Sequence, residues 1–388
     1  MSIFGSTIYQ KIKKSSLETR AIYGIFIILF IITILIRVSL VKFQSGDYAT
    51  FSGWYDFLKL HGIHSFKYSF SDYNPPYTYF LYIATLLPVS KIVAIKSILI
   101  FFDYVLALSV YFFVKLFRPK NYMPIIASLV VLFLPTVLLT SAFWGQFDEF
   151  YTAFIVFSLY FGLKGKSRWA WIFFGIAIAI KLQAIFFLPV LLLMIFKRIK
   201  WYDAIWGIVS FVVLTFPPLL VGRSFSSIIN IYKNQTNLFS GLLTLNAPSM
   251  WAWVPSIDFQ YFNKFGIYLT GATALLLILF GVIYKKYKKV DFVVFTSLML
   301  ILMPFLLPQM HERYFFPAGI GSLLLAFIYP EYFWIAVAVQ VITLFAYAPF
   351  LFGINIIPMS ILAVFILIII CLIGYIYFSK PKSKTEIN

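Results

Sequence analysis

The chain has 388 residues, 62% of them hydrophobic and 11% charged, whereas a soluble domain carries roughly 25% charged residues. Its mean hydropathy of +0.94 excludes a set of soluble domains, a disordered chain and a coiled coil, and leaves a polytopic membrane protein. The net charge of +18 invites a nucleic-acid reading, but the basic residues cluster between apolar runs and act as topology signals.

In chain order, a basic start (Lys11, Lys13, Lys14, Arg20) precedes the apolar run 21–41. That run is too long for a signal-peptide core and no small-residue cleavage site follows it, so a retained anchor is expected. A spanning helix needs about 20 apolar residues. Spans are predicted at 21–41, 92–117, 122–141, 149–163, 168–183, 184–197, 203–222, 264–284, 291–308, 314–329, 332–350 and 355–378. The fold class is therefore all-α, a helical bundle of about 12 spans. Residues 76–90 read as a re-entrant or interfacial piece, because a crossing there would invert every later basic cluster. The predicted organisation is a basic tail over 1–20, one transmembrane domain over 21–378 with large outer loops at 42–75 and 223–263, and a second tail over 379–388.

With both tails cytoplasmic, 20 of the 31 Lys and Arg residues fall inside, in clusters at 11–20, 115–120, 164–168, 197–200, 285–289 and 380–384. Seven of the 13 acidic residues fall outside: Asp47, Asp56, Asp72, Asp148, Glu149, Asp258 and Glu312. Acidic residues carry little topological information, so this grouping suggests a site on the outer face. The single cysteine, Cys371, can form no intrachain disulfide.

Four constellations could carry chemistry there. In the first outer loop, Phe51, Trp54, Tyr55 and Leu58 recur at helical spacing, which predicts an interfacial helix over 48–60. Asp47 just before it is either an N-cap or a functional carboxylate. The loop ends in Asp72-Tyr-Asn-Pro-Pro-Tyr77, where Asp72 is a turn residue or a ligand for substrate. Next, Trp144, Gln146, Asp148 and Glu149 share a helix–helix junction, with more polar groups than a turn needs. Third, Lys181-Leu-Gln183 closes an apolar span, where Lys181 snorkels or faces a polar cavity. Fourth, Gln309-Met-His-Glu-Arg-Tyr314 lies between two spans, and its His311 and Arg313 suit a phosphate. Mid-span Asp103 must face the protein interior, paired with Lys181 or hydrogen-bonded. No cofactor is expected; His61 and His64 near Asp56 and Asp72 make a divalent metal conceivable, without diagnostic spacing. Neither a Walker A nor a dinucleotide-binding glycine pattern is present, so a nucleotide donor bound by this chain is not expected.

A carboxylate, an Arg/His pair, a Lys and aromatic residues on one face of an apolar bundle suit group transfer from a lipid phosphate. In order and spacing, Asp47 with Phe51 and Trp54, Asp72-Tyr-Asn-Pro-Pro-Tyr77, Trp144-Gly-Gln-Phe-Asp148, Lys181-Leu-Gln183, Asn246-Ala-Pro-Ser-Met-Trp251 and His311-Glu-Arg-Tyr-Phe-Phe-Pro317 resemble the GT-C superfamily of membrane glycosyltransferases. The closest likeness is to bacterial proteins similar to the second mannosyltransferase of GPI-anchor synthesis. A fainter one is to dolichyl-phosphate-glucose glucosyltransferases. Leu182 stands where the family has Pro in Lys-Pro-Gln, and Asn74 is inserted in the usual Asp-Tyr-Pro-Pro.

The resemblance implies inverting transfer of a mannose-like or glucose-like hexose from a polyprenyl-phosphate donor to a glycan, lipid or cell-wall acceptor at the outer membrane face. Asp47 maps onto the family's base, and His311 and Arg313, joined by Lys181, onto the donor-phosphate contacts. Asp72, Asp148, Gln146 and Gln183 would hold sugar or acceptor hydroxyls, and Trp144 would stack on the sugar. The expected partners are the lipid-linked donor, the acceptor and membrane lipid, with no nucleic acid. A polyprenyl-linked glycan polymerase or ligase, and a lipid or sugar transporter, are the alternative classes.

Overall fold

A computed structural model describes residues 3–119, 121–237, 241–255, 258–284 and 287–379, with the side chains of 3–19, 236–237 and 284 outside the description. The predicted cytoplasmic tail 379–388 thus lies, beyond Ser379, outside the described residues, as do Lys120, Lys285 and Lys286. The helices in chain order are α1 (Ile3–Leu40), α2 (Tyr48–His61), α3 (Pro75–Thr85), α4 (Lys91–Phe117), α5 (Met123–Phe133), α6 (Pro135–Leu138), α7 (Asp148–Leu163) and α8 (Ser167–Ile180). They continue with α9 (Leu188–Lys197), α10 (Ala204–Thr215), α11 (Phe225–Asn237), α12 (Phe259–Tyr284), α13 (Lys289–Leu306), α14 (Phe316–Ile328), α15 (Phe333–Phe352) and α16 (Met359–Phe378). Two two-residue strands, β1 (Thr244–Leu245) and β2 (Met310–His311), pair in parallel.

This is an all-α polytopic bundle. Among the described residues seven helical segments are long and apolar enough to cross a membrane, or eight if the bent pair Met123–Phe133 and Pro135–Trp144 counts as one span. Every predicted span falls on helix. The ones below spanning length are α7, α8, the 182–197 segment and α14, and α7 and α14 are buried along most of their length. Helix α1 runs unbroken from Ile3 to Leu40, and its part apolar enough to cross a membrane is Arg20–Leu40. Residues 76–90 form α3 and a following turn, too short to cross alone.

The helix breaks have local causes, and they create the site. Pro135 pushes Leu134 out of helical geometry (ψ 125°), so α5 and α6 meet at a 49° bend. A π-helical turn over Leu139–Trp144 follows and stops at Gly145, whose φ of 91° favours glycine. At the end of α8 the backbone of Lys181 turns extended (φ −150°, ψ 131°), separating α8 from the next helical segment.

Asp103 pairs with Arg37, not with Lys181. The Arg37 Nε donates to Asp103 Oδ2 at 2.7 Å, and Ser141 Oγ donates to the same oxygen at 2.7 Å. The remaining guanidinium bonds go to the carbonyls of Thr33 and Leu132 at 3.0 and 3.1 Å. Lys181 lies instead beside Asp148, a nearer carboxylate in the fold. The Arg37–Asp103 pair joins α1, α4 and the bent segment in a water-poor interior. Breaking such a pair by removing one partner costs about 3–5 kcal/mol. Arg37→Ala is therefore expected to lower the thermal midpoint of the purified protein strongly. A midpoint unchanged from wild type would show the pair to be dispensable.

Candidate active site

The site is assembled at helix ends and the loops that follow them. Asp47 precedes α2 but does not cap it: no side-chain capping bond forms. Its Oδ2 instead accepts from Trp144 Nε1 at 2.8 Å and Gln146 Nε2 at 2.6 Å. Tyr73 donates its hydroxyl to Gln146 Oε1 at 3.2 Å, which sets which way that amide points. Burial raises the Tyr73 phenol pKa above its usual value, so it stays a donor at neutral pH. The helix expected over 48–60 is α2, and Phe51, Tyr55 and Leu58 face inward while Trp54 reaches the pocket.

A cavity of about 590 Å³ opens here, within the roughly 300–1,000 Å³ of small-molecule sites. Seven of the nine candidate residues line it: Asp47, Asp72, Gln146, Lys181, Gln183, His311 and Arg313. The other two stand behind its wall. Trp144 is fully buried, stacked on Phe350 (ring centroids 4.8 Å apart), and reaches the site through its indole N–H, so its face is not open to a sugar. Asp148 is equally buried and accepts from Lys181 Nζ at 2.6 Å. The aromatic residues that do line the cavity are Phe51, Trp54, Tyr73, Phe147, Phe186 and Tyr314.

The cations are held by carboxylates and rings. Lys181 Nζ lies 4.8 Å from the Phe147 centroid and 5.2 Å from that of Tyr314. Arg313 Nε is 4.0 Å from Asp148 Oδ2, too far for a hydrogen bond. Both atoms are buried and make no hydrogen bond among the described residues. Arg313 Nη1 lies 3.5 Å from Glu312 Oε1, and the guanidinium sits over Trp144 at 5.6 Å. The carboxylates neutralise the cations without saturating their donors, which leaves donors for an anionic ligand.

The His311 segment is tied down by a loop distant in sequence. Strand β2 pairs Met310 and His311 with Thr244 and Leu245, and Gln309 N–H donates to the Leu243 carbonyl at 2.7 Å. Trp251 Nε1 donates to the Leu306 carbonyl at 2.8 Å. Gln309 adopts φ +60° and Asn246 φ +55°, left-handed backbone that costs non-glycine residues energy and clusters at functional sites.

Burial, and then the Arg313 cation, lower the His311 pKa below the ordinary imidazole value, with Glu312 partly opposing. The folded protein therefore binds its proton more weakly than the unfolded chain. This contribution to stability is complete above the unfolded pKa of about 6.5 and is lost as pH falls toward the folded value. His311→Gln is expected to flatten the acid-side fall in thermal midpoint between pH 7.5 and 5.5. An identical fall in the variant would place that titration elsewhere.

Several contributors were not singled out from sequence. Tyr73 sets the Gln146 amide, Gln235 donates to the Asp72 carbonyl at 2.7 Å, and Gln309 donates to Asn263 Oδ1 at 3.2 Å. Tyr73 lay inside the Asp72–Tyr77 motif and Gln309 opened the His311 motif; Gln235 and Asn263 carried no local signal. Among the described residues no group of three His, Cys, Asp or Glu side chains could hold a metal ion, and Asp56 instead pairs with Lys91 at 2.6 Å.

An apolar helical bundle with a polar, carboxylate- and cation-lined cavity at its helix breaks suits a membrane-embedded transferase. Residues 70–230, about two-fifths of the chain, match the model of glycosyltransferase family 87, a membrane family of the GT-C type. The protein is a glycosyltransferase. The matched segment carries Asp72, Trp144, Gln146, Asp148, Lys181 and Gln183, while Asp47, His311 and Arg313 lie beyond it. No curated protein matches the chain.

Proposed function

We propose that the protein transfers a mannose-like or glucose-like hexose, with inversion, from a polyprenyl-phosphate donor to a glycan, lipid or cell-wall acceptor at the extracytoplasmic face of the cell membrane. The observation that carries this reading is the placing of one oriented carboxylate, Asp47, on the same cavity as Lys181, His311 and Arg313. Apolar residues on that cavity, among them Ile185, Ile267 and Leu307, favour a lipid-linked donor over a free nucleotide sugar.

In this mechanism the acceptor hydroxyl binds beside Asp47. Its oxygen attacks the anomeric carbon from the face opposite the phosphate. The hydroxyl proton passes to the Asp47 carboxylate as the new carbon–oxygen bond forms. The bond to the phosphate oxygen breaks, and the lipid phosphate leaves with the electron pair. Arg313, with Lys181 and neutral His311 as further donors, stabilises the charge on the leaving oxygen. Asp72 and Gln183 bind sugar hydroxyls. Trp54, which lines the cavity, supplies the stacking surface that buried Trp144 does not.

The test is a transfer assay on purified protein with a panel of polyprenyl-monophosphate sugars and membrane extract as the acceptor source, following release of lipid phosphate. Turnover of a mannosyl or glucosyl monophosphate is the expected result. Turnover of polyprenyl-diphosphate donors alone would instead select the polymerase or ligase class.

A further inference from the structure

Lys96 lies in the second turn of α4 and is only 1% exposed. Its ammonium forms no salt bridge among the described residues. It donates to three backbone carbonyls: Phe43 at 2.6 Å, Phe143 at 2.7 Å and Ala142 at 2.9 Å. Two of these belong to the last residues of the π-helical turn, which ends at Trp144. Carbonyls at a helix end have no partner within the helix and carry the negative end of its dipole, so a buried cation is favourable there. The third carbonyl is four residues before Asp47. Ser45 adds a second tie across the same seam, its Oγ donating to the Trp144 carbonyl at 2.6 Å. Across it the Phe43 and Phe143 rings stack on each other, with centroids 3.6 Å apart.

Two chain segments thus meet at Lys96. One carries Asp47, and the other carries the Trp144 and Gln146 donors that hold the Asp47 carboxylate. A Lys ammonium presents three donors from one point, and three converging carbonyls use all of them. Arg, a planar fork, cannot reproduce this arrangement. We infer that Lys96 is a positioning residue: its carbonyl-bound ammonium fixes the register of the Asp47 loop against the Trp144–Gln146 turn, and so sets the orientation of the base. This rests on the proposed role of Asp47. It assigns Lys96 no contact with substrate.

A lysine that only stabilised the bundle would change the amount of folded enzyme and leave the per-molecule kinetics alone. A positioning lysine changes kcat at constant donor KM, because the donor-phosphate contacts lie elsewhere, and misplacing a catalytic group by about 1 Å costs on the order of 100-fold. The experiment uses full-length protein in lipid nanodiscs. The probe is undecaprenyl-phosphate mannose or glucose, whichever wild type turns over faster. Rates are normalised to folded protein for Lys96→Met, Lys96→Arg, Ser45→Ala, Asp47→Asn and the Lys96→Met/Asp47→Asn double variant.

Lys96→Met and Lys96→Arg are expected to lose roughly 30- to 100-fold in kcat with donor KM within about twofold of wild type. Ser45→Ala, the milder cut in the same seam, is expected to lose roughly three- to tenfold and reads the inference if Lys96→Met does not fold. Because Lys96 acts through Asp47, the double variant should be no slower than Asp47→Asn alone. Unchanged kcat in the folded Lys96 variants, or in Ser45→Ala if they do not fold, overturns the inference while leaving Asp47 as the base. Losses that multiply in the double variant also overturn it. An active Asp47→Asn removes the base itself, and the inference falls with it.

Discussion

Replacing Asp47 by Asn is expected to reduce transfer by about 10³-fold, inside the 10²–10⁴ range that general-base catalysis contributes, with donor KM within about twofold of wild type. Asp47 Oδ2 accepts two hydrogen bonds, from Trp144 at 2.8 Å and from Gln146 at 2.6 Å. Both donors engage one oxygen and leave Oδ1 for a proton. An Asn side chain satisfies the same donors with its amide oxygen and turns its NH₂ group to the acceptor. It then offers a donor where a base is required. The variant keeps the shape of the site and the Lys181, His311 and Arg313 donors, so donor binding survives. Asp47→Glu retains the carboxylate but moves it by a methylene, and about 1 Å of misplacement costs on the order of 10²-fold. A well-folded Asp47→Asn enzyme within tenfold of wild type would remove Asp47 from the role of base.

The local features of this protein were legible in its sequence, and the long-range ones were not. Apolar runs mark the segments long enough to cross because burial in lipid requires about 20 such residues in a row. The inward stripe Phe51, Tyr55 and Leu58 marks α2 because helical periodicity is a property of a few consecutive residues. Candidate residues separated by as many as 266 positions, from Asp47 to Arg313, come together on one cavity because polar groups in an apolar chain have few places to go. Partner choice is a different matter. Asp103 had to be satisfied in the bundle interior, yet spacing alone could not distinguish Arg37, its actual partner, from Lys181. Asp47 carried two readings, cap and functional carboxylate; no capping bond forms, and the Trp144 and Gln146 donors that hold its Oδ2 instead lie 97 and 99 residues away, beyond the reach of local pattern. Lys96, inside the predicted span 92–117, had to be satisfied in the same way as Asp103, but its partners are backbone carbonyls of segments 46 or more residues away, which spacing does not reveal.

Arg313→Ala is expected to raise donor KM by roughly 10- to 100-fold, since a hydrogen bond to a charged group contributes about 1.5–3 kcal/mol, and to lower kcat as well. The side chain is held by Glu312 at 3.5 Å and by the Trp144 and Tyr314 rings, while its buried Nε makes no hydrogen bond among the described residues. Arg313 lines the cavity, so its terminal guanidinium nitrogens, rather than the buried Nε that faces Asp148, are placed to meet a phosphate oxygen. The charge on that oxygen grows as the glycosidic bond breaks, so the contact strengthens on the way to the transition state, and kcat/KM should fall further than KM rises. Arg313→Lys keeps the charge and loses the fork, and should lie between wild type and Ala. Lys181 gives the contrasting case. Its ammonium already donates to Asp148 at 2.6 Å, so Lys181→Ala leaves a buried carboxylate whose remaining ion-pair partner among the described residues is Arg313, at 4.0 Å. That variant should lose thermal stability together with donor affinity, whereas Arg313→Ala leaves the Lys181–Asp148 pair intact and should lose mainly affinity. An Arg313→Ala enzyme with unchanged donor KM would move the phosphate away from this wall of the cavity.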